Sequence, residues 1–170
     1  MKWTEYVAWT DTTALPAASN LDYLGKGILE EANEFLAAYF ALEAAKLGRA
    51  KRVLRGDSPE TLAAKDAAIE RAQAQMLAEL GDLAWYVARM QAVRGAIIES
   101  HVCWDVSADG LLRFVEWCAN VDDWGAARSA DFLTYCVRFA GVDLDAVLDA
   151  NVAKLTARKA AGTLQGAGDR

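Results

Sequence analysis

Proline is almost absent from this chain, and that scarcity constrains the fold more than any other feature of the sequence. The two prolines, Pro16 and Pro59, leave long uninterrupted segments, and a proline inside a helix would kink or break it. Alanine is abundant and hydrophobic residues make up 54% of the 170 residues, which favours long helices over a sheet sandwich. No alternating run is long enough to predict a strand, and the chain has no internal repeat. We therefore predict an all-α helical bundle that forms one domain over residues 1–170.

Capping residues and breaks divide the chain into six predicted helices. The second begins at a cap, Ser19 or Asn20, and the third begins at Ser58 with Thr61 close behind. The predicted helices cover about 3–13, 20–48, 58–93, 109–122, 126–140 and 143–159. The tail 160–170 carries three glycines and is expected to be flexible unless a ligand orders it.

Charge and cysteine usage exclude several classes of protein. The net charge of −6 argues against a nucleic-acid polymer as the partner, since such binders usually present a basic face. The N-terminus lacks the apolar run of a signal peptide, and no stretch is long enough for a membrane span. Cys103, Cys118 and Cys136 are odd in number and form no CxxC pair, so neither a disulfide framework nor a zinc knuckle is predicted. A cytoplasmic protein that does not bind membranes is expected.

One predicted helix carries acidic residues within its apolar stripe. The helix contains "GILEEANEFLAAYF" at positions 27–40, and its apolar stripe consists of Leu24, Ile28, Phe35, Tyr39 and Leu42. Glu31 falls inside this stripe, and Glu34 lies about 60° further round, on its flank. Glu30 points largely away from it. Glu31 and Glu34 are therefore not explained as part of a solvated face.

The same pattern recurs in "MLAELGDLAWYVARM", positions 76–90. Glu79 and Asp82 are again spaced i, i+3 on the flank of an apolar stripe, and Tyr86 follows one turn later. Antiparallel packing of the two helices would bring the acidic pairs face to face.

Four carboxylates at a partly buried seam require compensation. At an effective dielectric constant near 20, two carboxylates about 4 Å apart repel by about 4 kcal/mol. Protonation, basic partners at the helix interface or a bound cation can relieve this repulsion. The single histidine, His101, belongs to no Glu-x-x-His arrangement, which disfavours a di-iron site. Oxygen ligands alone favour Mg²⁺, with Mn²⁺ as a substitute.

A third polar ridge lies in the last predicted helix. Asn151, Lys154 and Arg158, spaced i, i+3, i+7, line one flank of its apolar stripe. A basic helix end is favourable for the helix dipole in any case. Beside an acidic metal site, however, these donors are suited to the oxygens of a polyphosphate.

Three sequence motifs together resemble those of the MazG-like all-α nucleoside triphosphate pyrophosphohydrolases. They are "EEANE" at 30–34, "ELGD" at 79–82 and "NVAKLTAR" at 151–158. The resemblance covers about half the chain, over 20–47, 76–92 and 143–170. It implies a four-helix core. The chain departs from the family pattern by an insertion at about 96–135, which is expected to add extra helices.

The resemblance also implies roles for residues and an activity. Glu31, Glu34, Glu79 and Asp82 would be Mg²⁺ ligands, with Glu30 and Glu31 as catalytic acids that position or activate water. The substrate-binding residues would be Tyr86, Asn151, Lys154 and Arg158. A metal-activated water would hydrolyse a (deoxy)nucleoside triphosphate to its monophosphate and pyrophosphate, to cleanse or balance the nucleotide pool. The family pairs subunits, so a homodimer or a dimer of dimers is expected.

Other interpretations of the same residues remain open. The insertion contains Trp104, Trp117 and Trp124, which could stack on a base but are more typical of a core or an interface. The chain could be a non-catalytic module that binds a nucleotide or a protein. It could also be a structural helical oligomer whose acids form salt bridges.

Overall fold

The computed structural model describes residues 1–97 and 126–164. In these ranges the chain forms α-helices and short 3-10 turns and contains no strand, so the predicted all-α fold is confirmed. The helices are α1 (Trp3–Trp9), α2 (Leu21–Leu54), α3 (Pro59–Arg94), α4 (Ala126–Ala140) and α5 (Leu144–Ala160), with 3-10 turns at Thr10–Thr12 and Pro16–Ser19. The predicted helix at 109–122, the three tryptophans of the insertion, His101, Cys103, Cys118 and the end of the tail lie outside the described residues.

Helix starts follow the predicted caps. The Asn20 side chain accepts a hydrogen bond from the Tyr23 backbone N–H at 3.1 Å at the start of α2. Ser58 Oγ accepts one from Thr61 N–H at 3.4 Å at the start of α3, where Pro59 occupies the first turn. Each cap satisfies a backbone donor that has no partner within its own helix.

The predicted end of α2 near Gly48 is wrong, because the helix continues to Leu54. A glycine inside a helix costs only about 1 kcal/mol, and the residues that follow Gly48 are mostly good helix formers. The chain turns after α2 at Gly56, whose φ of 72° favours glycine. The basic segment interpreted as a connection is therefore mostly helical, and Arg49 within it pairs with Asp66 of α3. The first helix is also shorter than predicted and gives way to the 3-10 turn at Thr10–Thr12.

Helices α2 and α3 form an antiparallel hairpin, and the hydrophobic core lies at one end of it. Buried apolar side chains of both helices, among them Ile28, Phe35, Leu80 and Leu83, pack with residues of α1, α4 and α5. In contrast, the far part of the hairpin, residues 43–54 and 59–75, contains no buried side chain. The core therefore surrounds the segment that carries the acidic pairs.

Hydrogen bonds anchor the N-terminal segment to this core. Trp3 Nε1 donates to Gln91 Oε1 at 3.0 Å, and the N-terminal amine contacts Asp149 of α5 at 2.9 Å. Cys136 of α4 is buried and forms no disulfide with any described residue. None of the helices in the described ranges combines the length and the apolar character that crossing a membrane requires.

Candidate active site

A cleft of about 660 Å³ opens between α2, α3 and α5. The turn segment between α1 and α2 contributes Thr13, Leu15 and Ala18 to one end of it. Of the nine residues predicted to form a site, eight line the cleft: Glu30, Glu31, Glu34, Glu79, Asp82, Tyr86, Lys154 and Arg158. The ninth, Asn151, is buried at 3% exposure and does not line it. The folded chain thus brings together residues that lie more than a hundred positions apart.

Three carboxylates converge in this cleft. Glu31 and Glu34 are one turn apart on α2, and Glu79 faces them from α3. One oxygen from each carboxylate lies within 4.8 Å of the others. Such a spacing allows all three groups to contact a single cation.

Burial makes the ionised form of this cluster costly. The pKa of the Glu31 carboxyl is raised to about 8, mainly by its burial and further by the negative charges of Asp82, Glu34 and Glu79. Burial also raises the pKa of Glu79, although a hydrogen bond from Gln75 opposes that effect. In both cases the positive charge of Lys154 favours ionisation. The cluster therefore favours a proton or a cation near neutral pH.

The donor set fits Mg²⁺ chemically. All three groups are carboxylates, the hard oxygen ligands that Mg²⁺ prefers, and they lie on the wall of an open cleft. Openness matters because Mg²⁺ usually keeps several waters and shares its coordination with substrate phosphates. Glu31, Glu34 and Glu79 are thus the residues that could hold the ion.

Asp82, predicted to be the fourth metal ligand, is engaged differently. Lys154 Nζ donates to both oxygens of its carboxylate, and Asn151 Nδ2 donates to Oδ1 at 3.0 Å. Lys154 was predicted to contact a phosphate. In this structure the predicted ligand and the predicted phosphate donor are paired with each other.

The prediction that Asn151 binds substrate directly does not agree with its contacts. Its Oδ1 accepts a hydrogen bond from the Tyr6 hydroxyl at 2.7 Å, and its Nδ2 donates one to Asp82 Oδ1. The side chain lies against Gly81, where an added Cβ would come within 2.9 Å of Nδ2. Asn151 therefore supports a residue of the cleft from behind.

Aromatic side chains form one end of the cleft, beside Glu30 and Glu31. The Tyr86 ring lies on Gly27, where any added Cβ would overlap the ring. The Tyr86 and Tyr23 hydroxyls are 3.3 Å apart, and Trp85 Nε1 donates to Thr13 Oγ1 at 3.0 Å. Flat apolar surfaces with polar edges suit a planar ring with polar substituents.

Sequence reasoning missed several residues of the site. Gln75 and Lys26 each precede a predicted acid, Glu79 and Glu30, by one helical turn, so i, i+4 spacing could have revealed them. Tyr6 reaches the site only through the tertiary fold, and no local sequence signal indicates it.

Taken together, the cleft offers a carboxylate cluster for a cation, basic side chains from α5 and an aromatic end. Comparison with protein-family models, curated proteins and solved structures found no match for this chain.

Proposed function

We propose that the protein is an Mg²⁺-dependent nucleoside triphosphate pyrophosphohydrolase of the MazG-like type. It would convert a (deoxy)nucleoside triphosphate to the monophosphate and pyrophosphate, and so cleanse or balance the nucleotide pool. The observation that carries the proposal is the convergence of Glu31, Glu34 and Glu79 in a cleft that basic residues also line.

The acidic cluster and the basic residues favour a polyphosphate when they act together. The cluster alone would repel an anionic substrate, whereas a bound Mg²⁺ would neutralise the carboxylates and polarise phosphate oxygens. Lys154 and Arg158 on α5 add donors that suit phosphate oxygens. Arg158 lies in the last turn of α5, where the helix dipole also favours positive charge.

Hydrolysis requires a water, and a carboxylate can position it. The water attacks the α-phosphorus, the bond from that phosphorus to the bridging oxygen breaks, and pyrophosphate leaves with that oxygen. Glu30 is exposed in the cleft and one residue from the cluster, so its carboxylate can accept the proton of the water. Glu31, which is buried beside Glu30, helps to orient this water.

The remaining cleft accommodates the nucleoside. Its volume of about 660 Å³ lies within the range typical of small-molecule sites, about 300–1,000 Å³. Tyr23, Trp85 and Tyr86 provide aromatic surface for the base or sugar.

The test is turnover of a panel of ribo- and deoxynucleoside triphosphates in Mg²⁺, compared with EDTA. We expect monophosphate and pyrophosphate as products, near-complete loss of turnover in Glu79→Gln, and retained helical content by circular dichroism. Glu70→Gln is the matched control, because Glu70 is an exposed glutamate on the same helix outside the cleft. Absence of Mg²⁺-dependent turnover across the panel, or full activity of Glu79→Gln, contradicts the proposal.

A non-catalytic binding module is the second candidate, and one contact favours it. Because Lys154 already engages Asp82, the fourth acid is satisfied without a metal. A binder would retain nucleotide affinity in calorimetry and release no pyrophosphate under the same conditions.

We further propose that the chain forms a homodimer or a dimer of dimers. Phe40, Leu47 and Leu54 are 50%, 57% and 87% exposed and lie seven residues apart, hence on one face of α2. Light scattering should give a dimeric or tetrameric mass, and Leu47→Glu with Leu54→Glu should lower it. A monomeric parent protein contradicts this part of the proposal.

A further inference from the structure

We propose that the Lys154 ammonium is the internal counter-ion of the metal-free site, which a divalent cation displaces, while Asn151 and Tyr6 hold Asp82 in position for either cation. The inference rests on the metal site of the proposed function. It assigns Asn151 and Tyr6 as positioning residues rather than substrate contacts.

Lys154 is placed to balance the negative charge of the acidic cluster. Its Nζ donates to both oxygens of Asp82, and the two side chains are only 24% and 25% exposed. A partly buried ion pair is screened less by water than a surface pair. The same ammonium charge also favours ionised Glu31 and Glu79. Lys154 thus compensates the acidic cluster in the absence of a metal.

Asp82 is held from two sides. Lys154 approaches its carboxylate from the cleft, whereas Asn151 approaches from the buried interior. Asn151 is in turn held by the hydroxyl of Tyr6, a residue with no exposed surface. Loss of the Lys154 contact therefore leaves Asp82 with its buried hydrogen bond and its orientation.

The Lys154 contact and the support from Asn151 and Tyr6 have opposite effects on the binding of a divalent cation. Lys154 competes with the ion, because both are positive and both are attracted to the same carboxylates. Asn151 and Tyr6 assist it, because hydrogen bonds from behind a ligand fix the direction in which its oxygens point. On displacement, the Lys154 ammonium becomes available to phosphate oxygens in the same cleft.

The experiment measures Mn²⁺ affinity of the full chain at neutral pH without nucleotide, by calorimetry or electron paramagnetic resonance. We expect Lys154→Met, which keeps the length and removes the charge, to bind Mn²⁺ at least about tenfold more tightly. Lys154→Arg keeps the competing charge and should remain near the parent. Lys51→Met on the exposed far hairpin is the matched control for the loss of one positive charge and should not change affinity.

The positioning residues are tested in the same titration. Asn151→Ala should weaken Mn²⁺ binding by about tenfold or more, the usual effect of removing a group that orients a metal ligand. Tyr6→Phe keeps the buried ring and should weaken binding by a smaller factor. Melting temperatures in EDTA separate these effects from a general loss of structure.

Distinct outcomes overturn distinct claims. Unchanged or weaker Mn²⁺ binding by Lys154→Met, or equal tightening by Lys154→Arg, overturns the counter-ion assignment even if the enzyme is active. Unchanged Mn²⁺ affinity in Asn151→Ala overturns the positioning assignment. Mn²⁺ binding with the expected pattern but no nucleotide turnover supports this inference and contradicts the proposed reaction. No Mn²⁺ binding by the parent overturns both.

Discussion

Replacement of Glu31 by glutamine should stabilise the metal-free protein near neutral pH, although it removes a group of the proposed active site. Glutamine has the shape of a protonated glutamic acid and carries no charge. The parent protein must either ionise Glu31 in a buried acidic cluster or keep it protonated. Both alternatives cost free energy, and the variant avoids them.

The magnitude follows from the raised pKa. Burial and the neighbouring carboxylates raise the pKa of the Glu31 carboxyl from 4.5 to about 8 in the folded protein. At pH 7 the unfolded chain has lost a proton that the folded chain retains, which corresponds to about 3 kcal/mol against folding. Because the carboxyl faces an open cleft, solvent screening lowers the effect, and we expect about 2 kcal/mol.

The sign of the pH dependence is opposite to that of an ordinary carboxylate. Below pH 4.5, Glu31 is protonated in both the folded and the unfolded state, so its raised pKa does not lower the free energy of unfolding. As pH rises from 4.5 to about 8, Glu31 ionises in the unfolded state while it stays protonated in the folded state. The free energy of the unfolded state therefore falls relative to that of the folded state, and the parent loses stability. The stability of Glu31→Gln should not show this loss.

The assay is thermal unfolding in EDTA at several pH values between 5 and 8. At pH 7 the variant should melt about 4–8 °C above the parent, and this difference should shrink towards pH 5. Saturating Mg²⁺ should raise the melting temperature of the parent more than that of the variant. A constant difference across the pH range, or a less stable variant at pH 7 in EDTA, would refute the reasoning.

The remaining predictions concern packing and surface contacts. Gly27→Ala should displace the ring of Tyr86 from the cleft and raise KM more than it lowers kcat; an unchanged KM contradicts the assigned position of that ring. Gly81→Ala should disturb Asn151, lower the melting temperature and weaken Mn²⁺ binding in calorimetry. Arg49→Ala removes a half-exposed ion pair and should change the unfolding free energy by at most about 1 kcal/mol, measured in urea.

Local periodicity explains what could be predicted from the sequence. A spacing of 3.6 residues per turn places Glu31 and Glu34 on one side of α2, and a proline-free apolar pattern indicates long helices. Caps such as Asn20 are equally local, since donor and acceptor lie three residues apart. These parts of the fold and of the candidate site could be predicted because they depend only on residues that are close in the sequence.

Partners across the fold could not be predicted in the same way. A helical wheel gives the side of α5 on which Asn151 and Lys154 lie, but not which residue each contacts. Both engage Asp82 of α3, and Tyr6 joins them from α1. The end of α2 was missed for a different reason, because the penalty for a glycine inside a helix is too small to stop it.

The central claim is that the carboxylates of α2 and α3 hold a divalent cation between them. The most direct test is a crystal structure of the protein grown with Mn²⁺, in which anomalous scattering locates the ion. The account predicts a peak within about 2–2.5 Å of carboxylate oxygens of Glu31, Glu34 and Glu79, with Asp82 released by Lys154 as a further ligand. An empty cluster at saturating Mn²⁺, or a peak bound only by residues outside it, would contradict the claim.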